Sequence, residues 1–111
     1  MAASEPANHR SRADSLRRRI ATASALTPSE LRRAALERSA DGPPLVPPYD
    51  ALVTQIGIAA YRVTDAQVSA VRSVLGSDKA AFEVVMSAAV GAGLMRFDRA
   101  MQAAKDASDA P

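Results

Sequence analysis

The 111-residue chain has no cysteine and a single histidine, which excludes disulfides, thiolate metal sites and thiol nucleophiles and leaves no imidazole pair for a metal or a catalytic triad. Apolar residues make up 48% but aromatics only 4%, so one domain with a core of small side chains is expected, of the kind that reaches adequate stability by oligomerising. The net charge of +2 is unevenly spread: residues 1–40 hold eight arginines against four acids, and the remainder is net acidic by two, so the basic character belongs to the N-terminal third.

Residues 1–9 are small and polar and read as a disordered tail without the apolar segment of a secretory signal. A soluble, cytoplasmic protein is the expectation, and the lack of cysteine is compatible with a reducing compartment. Across 10–25, Leu16 and Ile20 form the only large apolar pair, so a helix there is marginal unless it docks on something; residues 1–25 are expected to be a basic, partly disordered arm. Thr27-Pro28-Ser29-Glu30 has the form of a capping box with proline at the first helical position. It predicts a helix to about Ser39, with Leu31 and Ala35 on one face and Arg32, Arg33 and Glu37 elsewhere. Asp41-Gly42-Pro43-Pro44 and Pro47-Pro48 then break the chain, making 26–48 a capped helix and proline-rich linker ahead of a compact domain over 49–106.

Within that domain Leu52, Val53, Ile56 and Ala60 fall on one face of a helix beginning at Tyr49. Thr64-Asp65-Ala66-Gln67 is a second capping box, opening a helix with Val68, Val71 and Leu75 at helical spacing. Gly76 suits a left-handed helix end, and Ser77-Asp78 the next cap. The last helix, about 78–105, carries a stripe of Phe82, Val85, Met86, Ala89, Val90, Gly93, Phe97 and Met101. Ser87, Ala88, Gly91 and Ala92 leave its middle small on nearly every side, the mark of a helix buried by more than one neighbour. Its most apolar run, 80–95, is interrupted by Glu83 and is shorter than the about 20 residues of a membrane span. No strand alternation and no repeat is present, so the fold class is all-α: a small antiparallel helical bundle with an N-terminal arm and a disordered tail over 107–111.

Chemistry-bearing residues are few. His9 lies in the tail and reads as solvated. No acidic cluster has ligand spacing, so no metal or cofactor is expected. Glu83 is the one candidate catalytic residue: a carboxylate in an apolar run either pairs with Lys79 one turn earlier or has a raised pKa and accepts a proton. In the second case it works with a tyrosine or arginine in a small decarboxylase or isomerase and needs a ligand-sized pocket. Tyr61 is expected to close one end of the core with Arg62 solvated, and Arg96, Asp98 and Arg99 to favour the helix's C-terminal dipole and bridge to neighbouring helices. Arg17, Arg18 and Arg19 are candidates for binding an anion or a partner. A nucleic-acid role through them is disfavoured by the absence of stacking aromatics and by the long, proline-rich segment where a helix-turn-helix needs a tight turn.

The run YRVTDAQVSAVRSVLGSDKAAFEVVMSAAVGAGLMRFDRAM resembles the C-terminal half of the carboxymuconolactone decarboxylase and alkylhydroperoxidase-D-like family. It carries the Thr64-Asp65 cap, the Gly76-Ser77 turn, the Phe82-Glu83 pair, Ala88-Ala89 and Arg96. The resemblance spans about the last half of the chain, and its motifs are mostly packing residues. It implies an all-α fold assembling through long helices as dimers, trimers or hexamers. Active members of that family hold one or two cysteines, or other dedicated acid–base groups, with a histidine just before this region. Here the matching stretch, LVTQIGIAAY over 52–61, has neither cysteine nor histidine. The expectation is therefore a non-catalytic subunit, either a homo-oligomer or paired with a cysteine-bearing relative. Phe82, Val85, Met86, Ala89, Val90, Gly93 and Phe97 would form its interface, and residues 17–19 would engage a neighbour.

Overall fold

The computed structural model describes residues 5–22 and 24–109. Among them it is all-helical, with five α-helices: α1 (Glu5–Thr22), α2 (Ser29–Ser39), α3 (Tyr49–Ala59), α4 (Asp65–Leu75) and α5 (Asp78–Asp109), with a 3-10 turn at Ala60–Arg62. At about 1.5 Å per residue, the 32 residues of α5 account for most of the molecule's 53 Å long dimension. The other helices pack along it.

The core joins Ala35 of α2, Leu52, Val53 and Ile56 of α3, Val71 of α4 and Ala81, Val84 and Ala88 of α5. It is thin because alanine fills positions where larger folds place leucine or phenylalanine, and close helix approach replaces side-chain bulk. Two glycines make that approach possible. A Cβ on Gly91 of α5 would stand 2.1 Å from the Leu36 carbonyl oxygen and 2.5 Å from Ser39 Oγ, and one on Gly57 of α3 would stand 2.7 Å from the Ser39 carbonyl oxygen. The last turn of α2 is thus held between two bare backbones, and buried Ser39 satisfies its own hydroxyl by donating to Leu36 O at 2.9 Å.

This close packing corrects the expected domain division. Helix α2 is a central element, not part of a linker ahead of a compact unit. The proline segment is strapped down: Arg38 donates to both Asp50 oxygens (2.8 and 3.4 Å) and to Gly42 O, and the Leu45 N–H donates to Asp50 at 3.0 Å. The Leu45 amide and the Arg38 guanidinium hold the Asp50 carboxyl below its ordinary range, against the opposing effect of burial.

Other corrections concern the ends. Residues 5–22 form a docked helix, with Ala13 buried and the His9 ring edge-on to Phe97 at 5.9 Å between centroids; residues 1–4 lie outside the described ones. Helix α5 runs on to Asp109, through most of the stretch read as a tail. Tyr61 closes no core; it is 87% exposed, because α3 passes into the 3-10 turn and swings the ring outward.

The two capping boxes behave differently. At Thr64 both halves form: the hydroxyl accepts from the Gln67 N–H (3.2 Å) and the Gln67 side chain accepts from the Thr64 N–H (3.0 Å). Ser77 caps α5 through the Ala80 N–H at 3.1 Å, and Gly76 takes φ of 86° at the end of α4. Replacing Thr64 with alanine should cost about 1 kcal/mol, read as a lower urea midpoint at unchanged m-value; an unchanged midpoint would mean the first turn of α4 does not depend on its cap. The Thr27–Glu30 box does not form, since α2 starts at Ser29 with no side-chain cap and the Thr27 hydroxyl is used elsewhere.

Candidate functional site

Glu83 takes that hydroxyl. One carboxylate oxygen accepts from Thr27 Oγ1 (2.6 Å) and the Thr27 N–H (2.8 Å), and the other from the Leu26 N–H (3.0 Å). Arg32, placed by its spacing off the Leu31–Ala35 face, is 4% exposed. Its guanidinium donates to the carbonyls of Thr27 and Ile20 and to the Thr27 hydroxyl. A carboxylate from α5 and a guanidinium from α2 thus grip the α1–α2 connection from both sides.

Burial by itself would raise the Glu83 pKa, but the Thr27 hydroxyl, the amides of Leu26 and Thr27 and the positive charge of Arg32 outweigh it, and the carboxyl lies below its ordinary value. Both sequence expectations for Glu83 are corrected. It does not pair with Lys79, and its pKa is lowered where a proton acceptor would need it raised. Its oxygens are engaged by three donors, an arrangement suited to fastening a loop. The missed signal was Arg32: a single buried cation on α2 calls for an anion nearby, but sequence spacing cannot show that the anion comes from 51 residues further along the chain.

Among the described residues no group of acids and histidines could hold a metal ion. One surface cleft lies between α1 and the C-terminal third of α5, where Arg10, Arg17, Phe97, Met101 and Lys105 line it, and another lies along α1; neither reaches Glu83. Arg17 is partly spent inside the molecule, bridging Asp14 (3.0 Å) and Asp98 of α5 (2.8 Å). Arg18 reaches Ser15, and Arg18 and Arg19 are exposed. Arg96 and Arg99 do bridge, to Gly57 O (2.7 Å) and Asp41 (2.9 Å). They do so from the middle of α5, because the helix runs ten residues past Arg99 and its dipole end is elsewhere.

The predicted interface stripe lies on the open side of α5. The buried side is Ala80, Ala81, Val84, Ser87, Ala88, Gly91 and Ala92. Opposite it, Phe82 is 57% and Met86 41% exposed, Ala89 and Gly93 are exposed, and Val85, Val90 and Phe97 are half-buried along the flanks. Gly93 has nothing within 4 Å of where a Cβ would stand, so no contact inside the chain requires a glycine there. Helix α5 also has, by length and composition, what a membrane crossing needs, with an 18-residue window of mean hydropathy 1.4; 39% of that window is buried in the bundle.

Comparison with protein-family models, with curated proteins and with solved structures finds no match to this chain.

Proposed function

We propose that this chain is a non-catalytic assembly subunit, built on a bundle similar to that of the carboxymuconolactone decarboxylase-like family and working in the cytoplasm. It joins either further copies of itself or a cysteine-bearing relative through the outer face of α5. The observation that supports this reading most is the two-sidedness of that helix. Its small-residue side is consumed by the core, and its large apolar residues, Phe82 and Met86, face outward beside exposed Ala89 and Gly93. A folded monomer gains nothing from Phe82 in water, whereas an interface core enriched in phenylalanine and methionine does. Arg18 and Arg19, pointing outward from α1, supply charge to reach a neighbour. The engagement of Glu83 by three donors favours a structural role for it over proton transfer.

Replacing Ala89 with leucine tests the reading. The position is exposed within the chain, so thermal stability at low protein concentration should change little, while an interface would be overpacked by roughly 1–3 kcal/mol. Sedimentation velocity should show loss of the assembly. An Ala89→Leu chain that assembles as well as the parent would remove this face from the interface.

A further inference from the structure

We infer that the occupant of the α5 face is a second copy of this chain, lying antiparallel about a two-fold axis that sets Phe82 against the partner's Gly93 and Met86 against the partner's Ala89. This pairing rests on the assembly reading above and narrows it to one geometry. The exposed seam runs Phe82, Met86, Ala89, Gly93, two large residues followed by two small ones, with steps of four, three and four. That spacing is symmetric about its midpoint. Inverting one helix on another therefore lays a large side chain on a small one at all four places, as a self-complementary two-fold interface requires. A parallel pairing, or an antiparallel one displaced by a turn, sets bulk on bulk and leaves voids at the alanine and glycine. Gly93 fits this account: glycine is disfavoured within a helix, and only a neighbour from outside the chain would use its bare backbone.

Charge follows the same register. At about 100° per residue, Asp78 and Arg96 fall on the same flank of the seam, and the inverted copy brings Asp78 within one residue's rise of the partner's Arg96 twice over. Both side chains are exposed, that of Asp78 at 86%; each also has a partner within the chain, Arg72 for Asp78 and Gly57 O for Arg96, which the contact across the seam would share. Lys79 stands at the height of the partner's Arg96 but on the opposite flank, beside the partner's Phe97, so the two cations are kept on different sides of the seam. Leu26, 62% exposed and tied by its N–H to Glu83, extends the apolar surface beside it. Phe82, Met86 and Leu26 are 57%, 41% and 62% exposed, and the two-fold pairing would take that apolar surface out of water on both copies at once.

A size-swap experiment reads the register directly. Sedimentation equilibrium of the parent chain should give a dimer, and Gly93→Leu should weaken it at least about tenfold. Adding Phe82→Ala to Gly93→Leu should restore it, because each new leucine then enters the space its partner vacated. As the chain has no native cysteine, a second measurement avoids large residues. Mixed Met86→Cys and Ala89→Cys chains should oxidise to a heterodisulfide, while Gly93→Cys chains, about 16 Å apart along the axis, should not self-link. A parent dimer lost in Gly93→Leu but not restored by Phe82→Ala would overturn the register and leave the assembly reading standing. A parent monomer that co-purifies with a different subunit would overturn self-pairing alone. A monomer that captures nothing would overturn both.

Discussion

Substituting Gly91 with valine should strongly destabilise the protein. The new Cβ would stand 2.1 Å from the Leu36 carbonyl oxygen and 2.8 Å from its carbonyl carbon. Those are backbone atoms of a packed helix, which cannot rotate away as a side-chain tip can. Overpacking costs typically 1–3 kcal/mol and more when the backbone must move, so the expected loss is at or above about 3 kcal/mol. Against the 5–15 kcal/mol typical of a small domain, that would lower the melting temperature by about 12 °C or more. The contrast is Gly93→Ala, two residues on and open to solvent. At concentrations too low for assembly it should be neutral or stabilising by up to about 1 kcal/mol, through helix propensity alone. Thermal unfolding followed by circular dichroism distinguishes the two. If Gly91→Val melted where the parent does, α2 and α5 would not meet as described.

Glu83→Ala should produce the second large effect. It strips three donors of their acceptor and removes the negative charge that Arg32 acts on. Leaving partly buried donors without their acceptor costs about 1–3 kcal/mol. Glu83→Gln keeps the shape but not the charge and should fall between. The same group sets an acid limb of stability. Because its carboxyl lies below the ordinary value when folded, the unfolded chain binds more protons in the interval between the two values. The contribution of Glu83 is therefore fully present above about pH 4.3, the ordinary glutamate value, and is lost as the pH falls through the folded one. Asp50, lowered by Leu45 and Arg38, acts in the same direction. Urea midpoints measured from pH 7 to pH 3 should fall more steeply in the parent than in Glu83→Gln. Parallel curves would mean that Glu83 is not held as an anion.

The helices of this chain were legible because their punctuation is local. Thr64 with Gln67, Gly76 and Ser77 each act within four residues, and α4 and the start of α5 fall where those signals put them. The apolar spacing of Leu52, Val53 and Ile56 likewise found the buried face of α3. What misled was long-range. Thr27 has the chemistry of a cap, and only the distant carboxylate of Glu83 turns its hydroxyl aside. Residues 5–22 are too polar to predict an ordered helix by themselves, and the contacts that dock them come from distant residues: Asp98 and Phe97 of α5 and Arg32 of α2. On α5 itself the eye follows the large residues, yet the core chose the small ones. Gly91 and Ala88 let α2 approach more closely than any large side chain would, and that left Phe82 and Met86 outside.

The central claim is that this outward face is covered by protein. Light-scattering mass of the purified chain, alone across a dilution series and after co-expression with the products of its neighbouring genes, tests it most directly. The account predicts twice the chain mass at micromolar concentration, or a defined complex with a cysteine-bearing relative. A chain that stays monomeric at every concentration and brings down no partner would contradict it.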